Sequence, residues 1–155
     1  MTWPQKQGIV LVPFDFSEPA NHAIEVAKTF VTENAHLAVL HVLPPLAPLD
    51  PGVVWNTLDE ERARKSAASS LDTTLDDLKC SPCHREVVIG DPASSILERA
   101  RELNAELIVI PTHGRTGLRR FMLGSVAERI VRFAHCPVLV LRRKSDEKDE
   151  GSTKK

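Results

Sequence analysis

At 155 residues, 42% of them hydrophobic, and with a net charge of −1, the chain has the size and composition of one compact domain with a real core. The near-neutral charge excludes a global field that would recruit nucleic acid or a membrane surface. No apolar run reaches the roughly 18 residues of a membrane span, and the opening MTWPQKQ lacks the charged-then-apolar layout of a secretion signal, so a soluble, cytoplasmic protein is expected.

Gly8 to Pro13 (GIVLVP) is an unalternated apolar run bounded by Gly and Pro, and it predicts a strand buried on both faces. Phe14, Asp15 and Phe16 lead out of it to Ser17, a good N-cap, with Pro19 suited to the first turn of a helix. Ala23, Ile24, Ala27, Phe30 and Val31 recur at helical spacing behind that cap. Leu37 to Leu43 (LAVLHVL) predicts a second buried strand, with His41 inside it as a core histidine rather than a base. Pro44, Pro45, Pro48 and Pro51 then exclude regular structure and make a semi-rigid excursion.

From about Asp59 a helix carries Ala67, Leu71, Leu75 and Leu78 on one face and is expected to stop near Lys79. Arg85 to Ile89 is a third strand, and Gly90, Asp91 and Pro92 read as turn, N-cap and first helical position. Ile96, Leu97, Ala100 and Leu103 turn that helix inward. Leu107 to Ile110 is the fourth strand, followed by a basic, glycine-bearing loop and a helix bearing Val126, Ile130 and Phe133. Pro137 ends that helix, and Val138 to Leu141 is the fifth strand. Five alternations of apolar strand and helix predict an α/β fold: a doubly wound parallel sheet with helices on both faces. The domain is expected to span 1–143, with the charged, Gly/Ser-bearing residues 144–155 as a disordered tail.

Cys80 and Cys83 form a Cys-x-x-Cys, and Cys136 stands alone before Pro137. A redox pair belongs at a helix N-terminus, where the dipole lowers the thiol pKa. Here the pair follows a helix, which argues for a plain loop, and a structural zinc site lacks its four ligands with only His84 nearby.

In an open doubly wound sheet the ligand crevice lies at the C-terminal strand ends where strand order reverses. If the order is 3-2-1-4-5, Pro13, Phe14 and Asp15 face Pro111, Thr112, His113 and Gly114 there, with Val42 as a neighbouring wall. Gly124 and Ser125 open a helix whose first amides and dipole suit a phosphate. Gly114 permits close backbone approach; His113, Arg115 or Arg119 supply positive charge. Asp15 suits a ribose hydroxyl or a water of phosphate-bound Mg²⁺, although Asp at such a position is also a common helix-approach residue. The chain holds neither a Walker loop nor a Gly-x-Gly-x-x-Gly fingerprint, and turns and solvated arginines would leave the same glycine and arginine pattern.

The segments VPFDFSE, LHVL, VVIGDP and THGRTGLRRFMLGSVAERIV…CPVLVL together resemble the universal stress protein family, over roughly Gly8 to Arg142. The resemblance implies a single domain of the adenine nucleotide alpha hydrolase-like type with strand order 3-2-1-4-5. It implies ATP or another adenine nucleotide as ligand and a homodimer formed through Val138 to Leu141; the phosphates could in turn hold Mg²⁺. On the family pattern Gly-x2-Gly-x9-Gly-Ser/Thr, Gly114 takes the second glycine and Gly124-Ser125 the final pair, with Val126 following. Pro13, Asp15, Val42 and Ile110 match nucleotide-contacting positions. Pro111 departs from the pattern by replacing its first glycine, which removes an N–H and adds a ring. The leading expectation is a nucleotide-binding regulator of stress response rather than an enzyme. An interaction protein of the same fold without nucleotide, and a thiol redox protein through Cys80 and Cys83, are the alternatives. A receiver domain is disfavoured, because the acidic pair beside the first strand and the lysine after the fifth are missing.

Overall fold

A computed structural model describes residues 8–45, 56–112 and 123–142, and the side chains of 56–58 lie outside that description. In chain order the elements are β1 (Val10–Pro13), α1 (Glu18–Lys28), β2 (Leu37–Leu43), α2 (Asn56–Asp77), β3 (His84–Ile89), α3 (Pro92–Glu102), β4 (Leu107–Pro111), α4 (Ser125–Phe133) and β5 (Val138–Leu141). The strands make one parallel sheet in the order β3-β2-β1-β4-β5, with the order reversing between β1 and β4.

Side-chain alternation sorts the apolar strands into two cores. Val10, Val12, Leu37, Val39, Leu107 and Val109 pack against Ile24 and Ala27 of α1 and Leu71 and Leu75 of α2. Leu11, Ala38, Leu40, Ile108 and Ile110 pack against Ile96 and Ala100 of α3 and Ala127 and Ile130 of α4. Both sheet faces are covered, which is why these strands read as continuous apolar runs instead of alternating ones.

The helix boundaries follow local chemistry. Ser17 accepts from the Ala20 amide at 3.3 Å to cap α1, and Asp91 accepts from the Ser94 amide at 2.9 Å to cap α3. Helix α2 closes in a Schellman turn: Lys79 sits at φ 52°, its amide donates to Asp76, and the Cys80 amide donates to Leu75 at 2.9 Å. Asn104, at φ 49°, ends α3 the same way, with Ala105 donating to Ala100.

One expectation is corrected. The buried stripe of α4 is Ala127 and Ile130, whereas Val126 and Phe133 are 37% and 54% exposed. Registering the helix on Ala127 lets it lie close to α3 over small side chains, and the bulkier neighbours turn outward.

Candidate functional site

The ladder between β1 and β4 holds for only two residue pairs, Val10↔Leu107 and Leu11↔Ile108. The cause is legible in the backbone. Ile108 and Thr112 donate to Pro137 and Leu141 on the β5 side, so the odd-numbered amides of β4 face β1. Phe14 donates to Leu40 of β2, so the odd-numbered amides of β1 face β4. The next two amides due to cross the gap belong to Pro13 and Pro111, and neither exists. The sheet therefore parts at its switch point with no stranded N–H on either lip.

Beyond the parting lies a cavity of about 290 Å³ between the strand ends and the N-terminal turns of α3 and α4. That is near the lower end of the small-ligand range, about 300–1,000 Å³. Its floor is apolar, from Leu40 and Val42 of β2, Ile110 of β4, Ile96 of α3, and Ala127 and Ile130 of α4. Asp15, Thr112 and Ser125 bring polar groups to its wall, and Pro13, Phe14, Pro111, Gly124 and Val126 complete the predicted set. Ten residues expected from the sequence thus line one cavity: Pro13, Phe14, Asp15, Val42, Ile110, Pro111, Thr112, Gly124, Ser125 and Val126. His113, Gly114 and Arg115 lie outside the described residues, as do Arg119, the stretch 46–55 and the tail 144–155.

Leu40, Pro92, Ile96 and Ile130 also line the cavity and were not anticipated. Period-2 spacing from Val42 pointed to Leu40, and the Asp91-Pro92 helix start pointed to the rim.

Each polar group at the wall has definite partners. The Gly124 amide donates to the Thr112 carbonyl at 2.9 Å, so it is not available to an anion. That bond joins the two ends of the segment between β4 and α4. The following positions, Ser125, Val126 and Ala127, open α4 with no side-chain cap, and their amides lie in the helix's positive end. Asp15 Oδ1 accepts from both the amide and the hydroxyl of Ser17, the former at 3.0 Å, so this carboxylate shapes the entry to α1 as well as the cavity wall. Phe16 makes that corner in the left-handed region, at φ 63°. A bulky residue held there costs of order 1–3 kcal/mol, a strain typical of functional sites. Its ring packs edge-on to Phe14 and His41, with centroids 5.2 and 4.8 Å away. His41 is buried and its Nδ1 lies 2.7 Å from the Phe14 carbonyl; a carbonyl only accepts, so Nδ1 carries the hydrogen. It is the core histidine expected.

Across the mouth, Arg129 of α4 donates to both oxygens of Asp91, at 3.0 and 2.9 Å, and to Ser94 Oγ at 3.0 Å. The Ser94 amide and hydroxyl, with Arg129 beyond them, hold the Asp91 carboxyl below its usual range. The fork ties the middle of α4 to the first turn of α3, the two helices that frame the cavity. Among the described residues no cluster of three His, Cys, Asp or Glu side chains forms a metal site, and no helix is long and apolar enough to cross a membrane.

At the opposite end of the sheet, the turn from α2 to β3 holds the two cysteines. Cys80 is fully buried in the α1–α2 core and Cys83 is partly exposed beside it. Arg85 donates to Asp72 at 3.1 Å, to Asp76 at 3.3 Å and to Ser81 Oγ at 2.6 Å.

Such a sheet, with helices on both faces and an apolar cavity at the strand-order reversal, defines a doubly wound α/β domain with its ligand crevice at the usual place. The chain belongs to the universal stress protein family, whose family model matches residues 8–142. It is 36% identical over 144 residues to the universal stress protein MJ0531 of Methanocaldococcus jannaschii, covering 89% of this chain and 84% of that protein. The solved structure of MJ0577 from the same organism superposes with a TM-score of 0.72 at 26% identity, over 90% of this chain and 98% of that one. Two more distant structures, each 20% identical, share the fold. One is a universal stress protein in complex with cAMP, with TM-score 0.59 over 88% of this chain and 97% of that one. The other is an Arabidopsis thaliana family member with AMP bound, with TM-score 0.56 over 90% and 94%.

Proposed function

We propose that the chain binds an adenine nucleotide in the cavity between β1 and β4 and acts as a regulatory, cytoplasmic stress-response protein. The observation that carries this reading is the cavity itself, which joins an apolar slot to an uncapped helix start. Val42, Ile110 and Ile96 offer a flat base an apolar bed. The amides at the start of α4, with the Ser125 hydroxyl, suit the phosphates. Asp15, already holding Ser17, suits a ribose hydroxyl beside the base. A magnesium ion fits this donor set only through the phosphates, since the described residues assemble no cluster for it. His113, Gly114 and Arg115, outside the described residues, are proposed phosphate contacts on the sequence pattern alone. Proteins of this fold with cAMP or AMP bound support the choice of an adenine nucleotide.

Binding rather than turnover is the proposed activity, with dimer state as its output. Strand β5 pairs with β4 on one side and leaves its other edge unpaired among the described strands. Val138 to Leu141 are all half-buried there, which suits edge-to-edge pairing with a second copy.

Calorimetry with ATP and AMP tests the reading. The wild-type protein is expected to bind, and Val42→Glu, which sets a carboxylate in the apolar bed, is expected to weaken binding at least about tenfold. No heat with the wild type, together with binding gained by Pro111→Gly, would instead favour a nucleotide-free interaction protein of the same fold.

A further inference from the structure

The Cys-x-x-Cys turn lies far from the cavity and has no part in nucleotide binding, yet its arrangement is that of an asymmetric thiol pair. Cys80 is wholly enclosed by the α1–α2 core, whereas Cys83 reaches solvent. A small reagent can therefore meet only Cys83, and Cys80 can react only with a sulfur delivered by its neighbour. Helix α2 points its negative end at the turn, which by itself disfavours a thiolate. Two cations oppose it. Lys28 of α1 donates to the Leu78 carbonyl at 2.7 Å, at the last turn of α2. Arg85 lies two residues beyond Cys83, on the same side of an extended chain.

The charged groups around the pair are thus Lys28 from α1, Asp72 and Asp76 from α2, and Arg85 from β3, with His84 turned toward Glu86 at 3.6 Å. Asp72 and Asp76 hold Arg85 in place, and Asp76 also opposes a Cys83 thiolate. The balance favours the thiolate: a hydrogen bond from Cys80 and then Arg85 bring the Cys83 thiol down to about 7. The same hydrogen bond, with burial, pushes the Cys80 thiol up. The helix end argues for a plain loop, and the guanidinium beside Cys83 weighs on the other side.

We infer that Cys83 and Cys80 form a thiol–disulfide exchange site for low-molecular-weight disulfides of the glutathione class, with Cys83 attacking and Cys80 resolving. The Cys83 thiolate bonds to one sulfur of the disulfide RS–SR, the S–S bond breaks, and RS⁻ leaves and takes a proton. With the Cys83 charge gone, Cys80 no longer faces a neighbouring thiolate, which eases its own deprotonation. Cys80 then loses its proton, attacks the Cys83 sulfur, and expels the second RS⁻, which is protonated in turn. Two protein thiols give up two electrons, and one disulfide becomes two thiols. A thiol titrating near the ambient pH is well matched to such exchange.

The test uses wild-type protein incubated with oxidised glutathione at neutral pH, acid-quenched, and mapped by peptide mass spectrometry. The expected product is a Cys80–Cys83 disulfide, and in Cys80→Ala a glutathione trapped on Cys83. Alkylation of Cys83 followed against pH should have its midpoint near 7. Arg85→Gln should move that midpoint up by about one unit, and Arg85→Lys should largely restore it. Should Cys83 of the wild type titrate like an ordinary thiol near about 8.5, or hold glutathione without passing it to Cys80, the inference fails. Neither result depends on whether the cavity binds nucleotide.

Discussion

The two ends of the sheet are built on opposite plans. At the C-terminal end the backbone ladder lapses, a cavity opens, and the chain turns through a strained Phe16. At the N-terminal end of β3 the turn after α2 is closed by a Schellman pair, sealed by Leu75 and Cys80 in the core, and laced by Arg85. One end gives up main-chain bonds to make room, and the other uses them to hold two sulfurs in place. Stability and ligand response should therefore separate along the strand axis.

The largest expected effect is at the closed end. Leu75 is fully buried, so Leu75→Ala should cost about 2–5 kcal/mol by denaturant unfolding. Leu75 lines no part of the cavity, so nucleotide affinity should change little at temperatures where the variant stays folded. If affinity falls in step with stability, the two ends are not separable.

At the open end, Ser125→Asp should move the two properties in opposite directions. An acidic residue in the first turn favours the helix start by about 0.3–1 kcal/mol, so thermal stability should hold or rise. The same carboxylate should repel an anionic ligand and lower ATP affinity. Unchanged affinity would move the phosphates away from α4.

The smallest effect concerns Asp91. Its folded-state pKa is lowered, so the stability it contributes is full above its unfolded value, near about 3.9, and is lost as pH falls through the folded value. Asp91→Asn retains a side-chain oxygen for the Ser94 cap but loses the charge. Its unfolding curve should show a smaller decline over that acidic window than the wild type. Parallel declines would mean that the Arg129 fork contributes nothing measurable.

The strands were legible in the sequence because a sheet covered on both faces writes itself as unbroken runs such as LAVLHVL and LIVI. Helix starts were legible because Ser17 and Asp91 with their following prolines act locally. The strand order came from family resemblance and is the order found. What escaped was set by packing between distant elements. Ile96 and Ile130 reach the cavity only because α3 and α4 lie side by side, a relation with no local signature. The register of α4 was missed for a related reason: a small alanine fits against α3 where hydrophobicity alone favoured Val126 and Phe133. That Arg85 neighbours Cys83 was legible in the spacing, since alternate residues of an extended segment share a side.

The paired prolines at the parting of β1 and β4 also bear on which base the slot prefers. A continuous ladder would bring the amides of residues 13 and 111 to the carbonyls of Val109 and Pro13, and with proline at both places those two oxygens lose these partners. Of the two, Pro13 lines the cavity, so its carbonyl is an acceptor on a lip where neither proline offers an N–H. A purine presenting an exocyclic amino group suits it better than one presenting a keto oxygen, so discrimination between adenine and hypoxanthine would be written into the main chain itself.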